Sequence, residues 1–401
     1  MTQEPSKRSL TALNWLNFFA ADVSDGVGPF LAVYLATNLH WKPGQIGMAI
    51  AATTFSMVLA QSPAGHVVDK IRHKRLPIIV ASLIVGAVAF LFPFWRSFPL
   101  IMGSQVVLGL AASFYIPTLV ALASVVTKKG EFDKTISKNQ SFNHAGNVAS
   151  AVLTGVVAKF THNNGIFYCM MGLAVMCTVS GLLIPKKDVE AAPQPNNNNA
   201  DNVKKGFLKD ILANKTFLLF LLLTVIFYFS NGAMLPLVAQ EIAKGKEDSS
   251  TLYLSACIII AQLVMIPTVY LCGKHAVKGR KKLLIIAFSL LVLRGVLYTL
   301  TDKTWHLLVF QILDGMAAGV FSVVSLMVVD DLMGTSGKAS FAQGLWATAL
   351  SLGSTLSNLS AGFIVDAAGF KIGFVFLAAL ALGALFLLWK AMPETIRQTA
   401  S

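Results

Sequence analysis

Charge is what this chain has least of. Only 13% of its 401 residues are Asp, Glu, Lys or Arg, against about 25% in a soluble domain. So little polar surface excludes a water-soluble enzyme or binding module. Cysteine is scarce too: Cys169, Cys177, Cys257 and Cys272 fall in or at the ends of apolar runs, without metal-ligand spacing or a secreted disulfide framework. They read as packing residues. Walker loops, HExxH, GxSxG and clustered histidines are all missing, which argues against ATP drive and against an intramembrane enzyme, and leaves no metal or cofactor site in the reading. The N-terminus, MTQEPSKRSL, lacks the apolar core and cleavage site of a signal peptide, so the first span is expected to stay attached.

What the chain does have is long hydrophobic runs. Hydrophobic residues make up 55% of it, the mean hydropathy is +0.67, and the runs come in blocks of about 20, enough to cross a bilayer. Twelve spans are expected: 13–36, 45–66, 76–94, 99–126, 140–160, 165–184, 215–238, 251–272, 283–301, 305–329, 340–364 and 370–391. Residues 185–214, rich in Pro, Asn and charge, read as a linker between an N-terminal bundle (1–184) and a C-terminal one (215–401). The net charge of +13 is positional. With the termini, the linker and the even-numbered loops on one side, 24 lysines and arginines lie there and seven on the other. That bias predicts cytoplasmic termini in a bacterial-type inner membrane, and it replaces nucleic acid as the explanation of the charge.

The halves repeat each other. Ser24-Asp25-Gly26 recurs as Ser230-Asn231-Gly232, each followed by a proline, Pro29 and Pro236. Gln105, Gly109, Ala111 and Ala112 recur at the same offset as Gln311, Gly315, Ala317 and Ala318. Two six-helix bundles related by duplication are the architecture that alternating access uses, one bundle rocking against the other around a midplane site.

The loop after the second span reads Gly65-His66-Val67-Val68-Asp69-Lys70-Ile71-Arg72-His73-Lys74-Arg75. It resembles the signature of the major facilitator superfamily: a glycine, an aspartate four residues on, then a basic cluster. Arg72 stands where the family has its second glycine. In the second half, Gly279-Arg280-Lys281-Lys282 resembles a degenerate copy without the aspartate. The resemblance covers nearly the whole chain. It implies an all-α integral membrane fold and a gating role for Gly65, Asp69, Lys70, Lys74 and Arg75. It also implies that the first, fourth, seventh and tenth spans line a cavity, with the fifth and eleventh close by. Drug:proton antiporters of the superfamily usually carry an arginine in the fourth span, where this chain has Gln105, and a Gly-Pro pair in the fifth, which this chain lacks.

Charge inside the membrane needs a reason, because a carboxylate at the bilayer centre costs at least ~2.5 kcal/mol. Asp22 and Asp25 lie three apart on one face of the first span. Pro29 lacks the N–H that would bond the Asp25 carbonyl, so a kink is expected there. Two carboxylates this close hinder each other's ionisation in a low dielectric, which suits proton binding. The other midplane charges are Arg294 and Asp314, in consecutive spans. They are expected either to pair with each other or to face the cavity, where Asp314 would take a proton or cation and Arg294 an anion. His144 adds an imidazole, the side chain whose charge changes near neutral pH. Neutral candidates for the cavity wall are Gln105, Tyr115, Asn143, Asn147, Tyr228, Asn231, Gln311 and Asn358. Asp330-Asp331 reads as a gate or a partner for the basic loops.

These features predict a monomeric secondary transporter whose partners are protons, a small organic solute and the lipid bilayer. Three midplane aspartates against one arginine favour efflux. Proton-coupled uptake, export of an organic anion such as a siderophore, and a non-transporting sensor on the same fold are the alternatives.

Overall fold

A computed structural model describes residues 6–24, 28–128, 131–190, 213–245, 249–276, 279–333 and 339–395, and among these it contains helices and no strand. In chain order the first helices are α1 (Lys7–Ser24), α2 (Gly28–Thr37), α3 (Pro43–Lys70), α4 (Leu76–Leu91), α5 (Phe98–Ala112) and α6 (Tyr115–Val126). Then come α7 (Phe132–Phe160), α8 (Gly165–Leu183) and the short α9 (Lys186–Glu190). Beyond the linker lie α10 (Lys215–Asn231), α11 (Met234–Gly245), α12 (Ser250–His275), α13 (Arg280–Thr299), α14 (Thr304–Val309), α15 (Gln311–Met333), α16 (Ala339–Ala368) and α17 (Phe370–Ala391).

Among the described residues, ten segments have the length and hydropathy to cross a membrane. The two other long helices, α7 and α16, are those richest in polar and small residues: KTISKNQSFNHAGN in the first and SLGSTLSNLSAG in the second. Among the described residues, three of the expected spans are each broken in two. Proline accounts for two of the breaks, since it cannot donate to the carbonyl four residues back: Pro117 at the Ser113–Phe114 turn between α5 and α6, and Pro236 between α10 and α11. The third break, at Phe310, has no proline. The kink expected between Asp25 and Pro29 falls on residues 25–27, outside the described residues.

The described chain divides into two compact units. The first holds residues 1–41, 52–195 and 243–256, and the second 42–51, 196–242 and 257–401. Each unit therefore takes in a short piece beyond the sequence halves, and glycine explains the docking of both pieces. In the second unit, a side chain at Gly47 of α3 would meet the backbone oxygen of Asn358 in α16, and Gly362 lies against Pro43. Asp366 accepts the Gly44 amide at 2.9 Å. In the first unit, Gly155 of α7 sits against Ser255 of α12, and Thr251 donates to Asn163 at 2.5 Å.

Each unit has its own aromatic core. Phe92 and Phe167 stack at 4.2 Å with Tyr34 edge-on in the first; Phe227 and Phe321 stack at 3.8 Å with Phe288 edge-on in the second. All four cysteines are buried and free. The outward-facing side chains are also apolar, with Leu59, Phe94, Val175, Leu293 and Trp389 all exposed, as a lipid-facing surface requires.

Candidate functional site

In the first unit, α1 and α7 approach closely because Gly146 faces the Phe18 carbonyl with no room for a side chain. One turn further along both helices, Asp22 meets Ser150, whose hydroxyl donates to the carboxylate at 2.7 Å. No ion pair reaches Asp22 from any described residue. It is a half-buried membrane carboxylate held by one neutral donor. Asp25 lies outside the described residues. On α7, Asn143 reaches toward the Asn17 carbonyl at 3.5 Å, and Asn147 is partly exposed between Asn143 and Ser150. His144 lies six residues before Ser150, more than one turn along the helix and about 120° away around its axis, and its Nδ1 is enclosed without a hydrogen-bond partner among the described residues. The structure does not bring His144 to Asp22.

In the second unit the remaining midplane charges converge. Arg294 of α13 is buried; its guanidinium donates to the Asp314 carboxylate of α15 and to the Asn231 side-chain oxygen at the end of α10. Its second terminal nitrogen also lies 3.0 Å from the Met234 sulfur, and the Tyr298 ring is 5.8 Å away. Gly295 lets α13 close onto Ala378 of α17 and Met234. Of the two arrangements the sequence leaves open, Arg294 and Asp314 adopt the pair.

The other candidates have local partners. Gln105 accepts from Thr53 at 2.8 Å, and Tyr115, fully enclosed, shares a 2.9 Å hydrogen bond with Ser82. Gln311, also enclosed, donates to Tyr298 at 2.9 Å. Asn358 donates to the Ser354 carbonyl at 2.9 Å. Tyr228 packs its ring against Phe227 and Phe321. Sequence reasoning missed Ser150, Met234, Tyr298 and Thr53. A polar stripe at 143, 147, 150 and 154 on one face of α7 was the signal for Ser150; the other three carried none.

At the loop after α3, Lys74 donates to the Val68 carbonyl at 2.7 Å, and Arg75 to Leu182 and Ile184 at 3.3 and 2.8 Å. Cations at helix C-termini satisfy carbonyls left without intrahelical donors, so both basic side chains tie helix ends together. Lys70 is exposed, and a side chain at Gly65 would meet nothing within 4 Å. The Asp69 side chain lies outside the described residues. In the second unit Arg280 forms an ion pair with Asp331 at 3.0 Å.

The sequence pattern of the Major Facilitator Superfamily matches residues 10–301 and 277–401. The chain belongs to the Major Facilitator Superfamily. An uncharacterised MFS-type transporter of Mycobacterium tuberculosis is 36% identical over 394 residues, covering 97% of this chain and 94% of the relative. A sugar efflux transporter of Dickeya chrysanthemi is 24% identical, with 90% of each covered. The quinolone resistance protein NorA of Staphylococcus aureus is 23% identical, covering 85% of this chain and 86% of the relative. The fold matches the nucleoside transporter NupG with a TM-score of 0.78 at 12% identity, covering 95% of this chain and 99% of that one. This MFS protein is thus a multi-pass integral membrane transporter of two helical bundles.

Proposed function

We propose that this MFS protein is a proton-coupled secondary transporter that exports a small organic solute by alternating access, with Asp22 as the group that exchanges a proton for substrate. The observation that carries the reading is the contrast between the two units. Arg294 and Asp314 neutralise each other, whereas Asp22 has a serine hydroxyl and, among the described residues, no cation. A proton can join or leave Asp22 without breaking an ion pair, and in a low dielectric its charge state is the expensive variable. Asp25, three residues on, is the second carboxylate of this proposal.

Export is supported by two relatives, one named for sugar efflux and one for quinolone resistance. Export of an organic anion loses its carrier, because the Arg294 guanidinium is enclosed and committed to Asp314 and Asn231. The excess of basic residues on one side supports an inner-membrane orientation with both termini cytoplasmic.

The test uses proteoliposomes containing a pH dye and an imposed proton gradient, offered a quinolone or a disaccharide. Substrate-dependent proton movement is expected from the natural sequence and should vanish in Asp22→Asn. Unchanged proton movement in both Asp22→Asn and Asp25→Asn would overturn the assignment.

A further inference from the structure

Away from both charged sites, α4 and α5 enclose a lateral groove of about 370 Å³. Its walls are apolar: Val80 and Ile84 from α4, Val107 and Leu110 from α5, and Phe114 from the turn after α5. Val80 and Leu110 are 45% and 44% exposed, so the groove opens on the lipid-facing surface. At one end it is closed by Ile71 and Leu76, the residues that bracket Arg72-His73-Lys74-Arg75. An apolar trough in the bilayer thus runs directly into a basic loop.

The cations of that loop divide into two kinds. Lys74 and Arg75 bond helix carbonyls of their own chain. Lys70 and Arg72 are exposed and flank Ile71 of the groove wall in sequence, and Arg72 is the residue that replaces the glycine of the family signature. A second groove of about 290 Å³, between α13 and α17, offers a contrast. There the Lys390 ammonium lies over the Phe386 ring at 4.4 Å and Lys281 donates to the Trp389 carbonyl at 2.8 Å, so these two cations are engaged by the protein, whereas Lys282 is exposed.

We propose that the α4–α5 groove holds an acyl chain of an anionic phospholipid whose phosphate is bound by Lys70 and Arg72. The trough excludes water and takes the chain by apolar contact, while the two cations select a negative headgroup over a zwitterionic one. Each basic residue near a membrane surface contributes about fivefold to binding of an anionic headgroup.

The test is photo-cross-linking of the full chain in phosphatidylcholine vesicles doped with phosphatidylglycerol that carries a diazirine on its acyl chain. Adducts are mapped by peptide mass spectrometry. Labelling is expected to concentrate on 76–84 and 107–114. It should fall about fivefold in Arg72→Gln, fall further in Lys70→Gln/Arg72→Gln, and be blocked by Val80→Trp, with Leu110→Trp as a second groove-filling variant. Millimolar inorganic phosphate should not compete, since a free anion lacks the chain. Equal labelling by a diazirine phosphatidylcholine would overturn the proposal. So would an even spread of adducts onto other outward peptides such as 175–183, full labelling in the double variant, or competition by phosphate.

Discussion

At the scale of single residues, the buried Arg294 is worth more as half of a pair than as a charge. Removing one member of a buried ion pair strands the other, at a cost of about 3–5 kcal/mol, whereas replacing both with apolar groups of similar size is often neutral. Arg294→Met is therefore expected to lower the thermal midpoint of the purified protein sharply, and Arg294→Met/Asp314→Leu to recover most of the loss. If the double variant melts as low as the single one, the pair is not what holds this region. The sequence showed that these two opposite charges in consecutive spans could pair, but left open whether they face the cavity instead. The participation of Asn231 was not legible, since it depends on how α10 is rotated. Rotation also decides that Tyr115 turns to Ser82 and Gln311 to Tyr298, and no spacing in the sequence specifies it.

At the scale of elements, the start of α1 is fastened by the short α9. Ser6 caps α1, its hydroxyl accepting the Ser9 amide at 3.2 Å. Asp188 in turn accepts from both serine hydroxyls, at 2.7 and 2.5 Å, and from the Ser6 amide at 3.4 Å. Burial works to raise the Asp188 pKa, but these hydrogen bonds outweigh it and hold the carboxyl below its ordinary value of 3.8. A carboxylate depressed in the folded state stabilises fully above the unfolded value and loses that contribution as pH falls through the native one. Protection of the amides across 6–12, measured against their intrinsic exchange rates, should therefore hold at pH 5 and fall below about 3.8. Asp188→Asn should remove the pH step and leave protection low throughout; a step that survives the substitution places its origin elsewhere. Of the breaks in the spans, the one at Pro236 was not read in advance, since the seventh span read as continuous over 215–238 although it holds that proline. The fourth span read as continuous over 99–126, because its long apolar run hid the effect of Pro117. The break at Phe310 has no local sequence cause.

At the scale of the molecule, length, hydropathy and repeat made the fold legible almost throughout, since a bilayer dictates how long and how apolar a span must be. The composition of the two compact units was less legible. Residues 42–51 and 243–256 join their units through close backbone approach at Gly47 and Gly155, and a glycine that permits such approach looks the same in sequence as one facing open space. Gly47→Ala is expected to cost about 1–3 kcal/mol, as overpacking does, whereas Gly65→Ala, in the signature loop, should be neutral or slightly stabilising because alanine favours the helix. Thermal unfolding of the two purified variants compares them, and equal losses would contradict the packing described for α3 and α16.

The neutral pair in the second unit has an electrical consequence. A charge carried through the full membrane voltage exchanges about 2.3 kcal/mol per 100 mV, and Arg294 with Asp314 sums to zero, so displacing them together does no electrical work. On the proposed assignment, voltage acts on the first unit through Asp22 when it is ionised and releases it when a proton is bound. Return of the unprotonated carrier should therefore respond to a potassium diffusion potential set with valinomycin, while the protonated step should not, and Asp22→Asn should make proteoliposome flux indifferent to that potential.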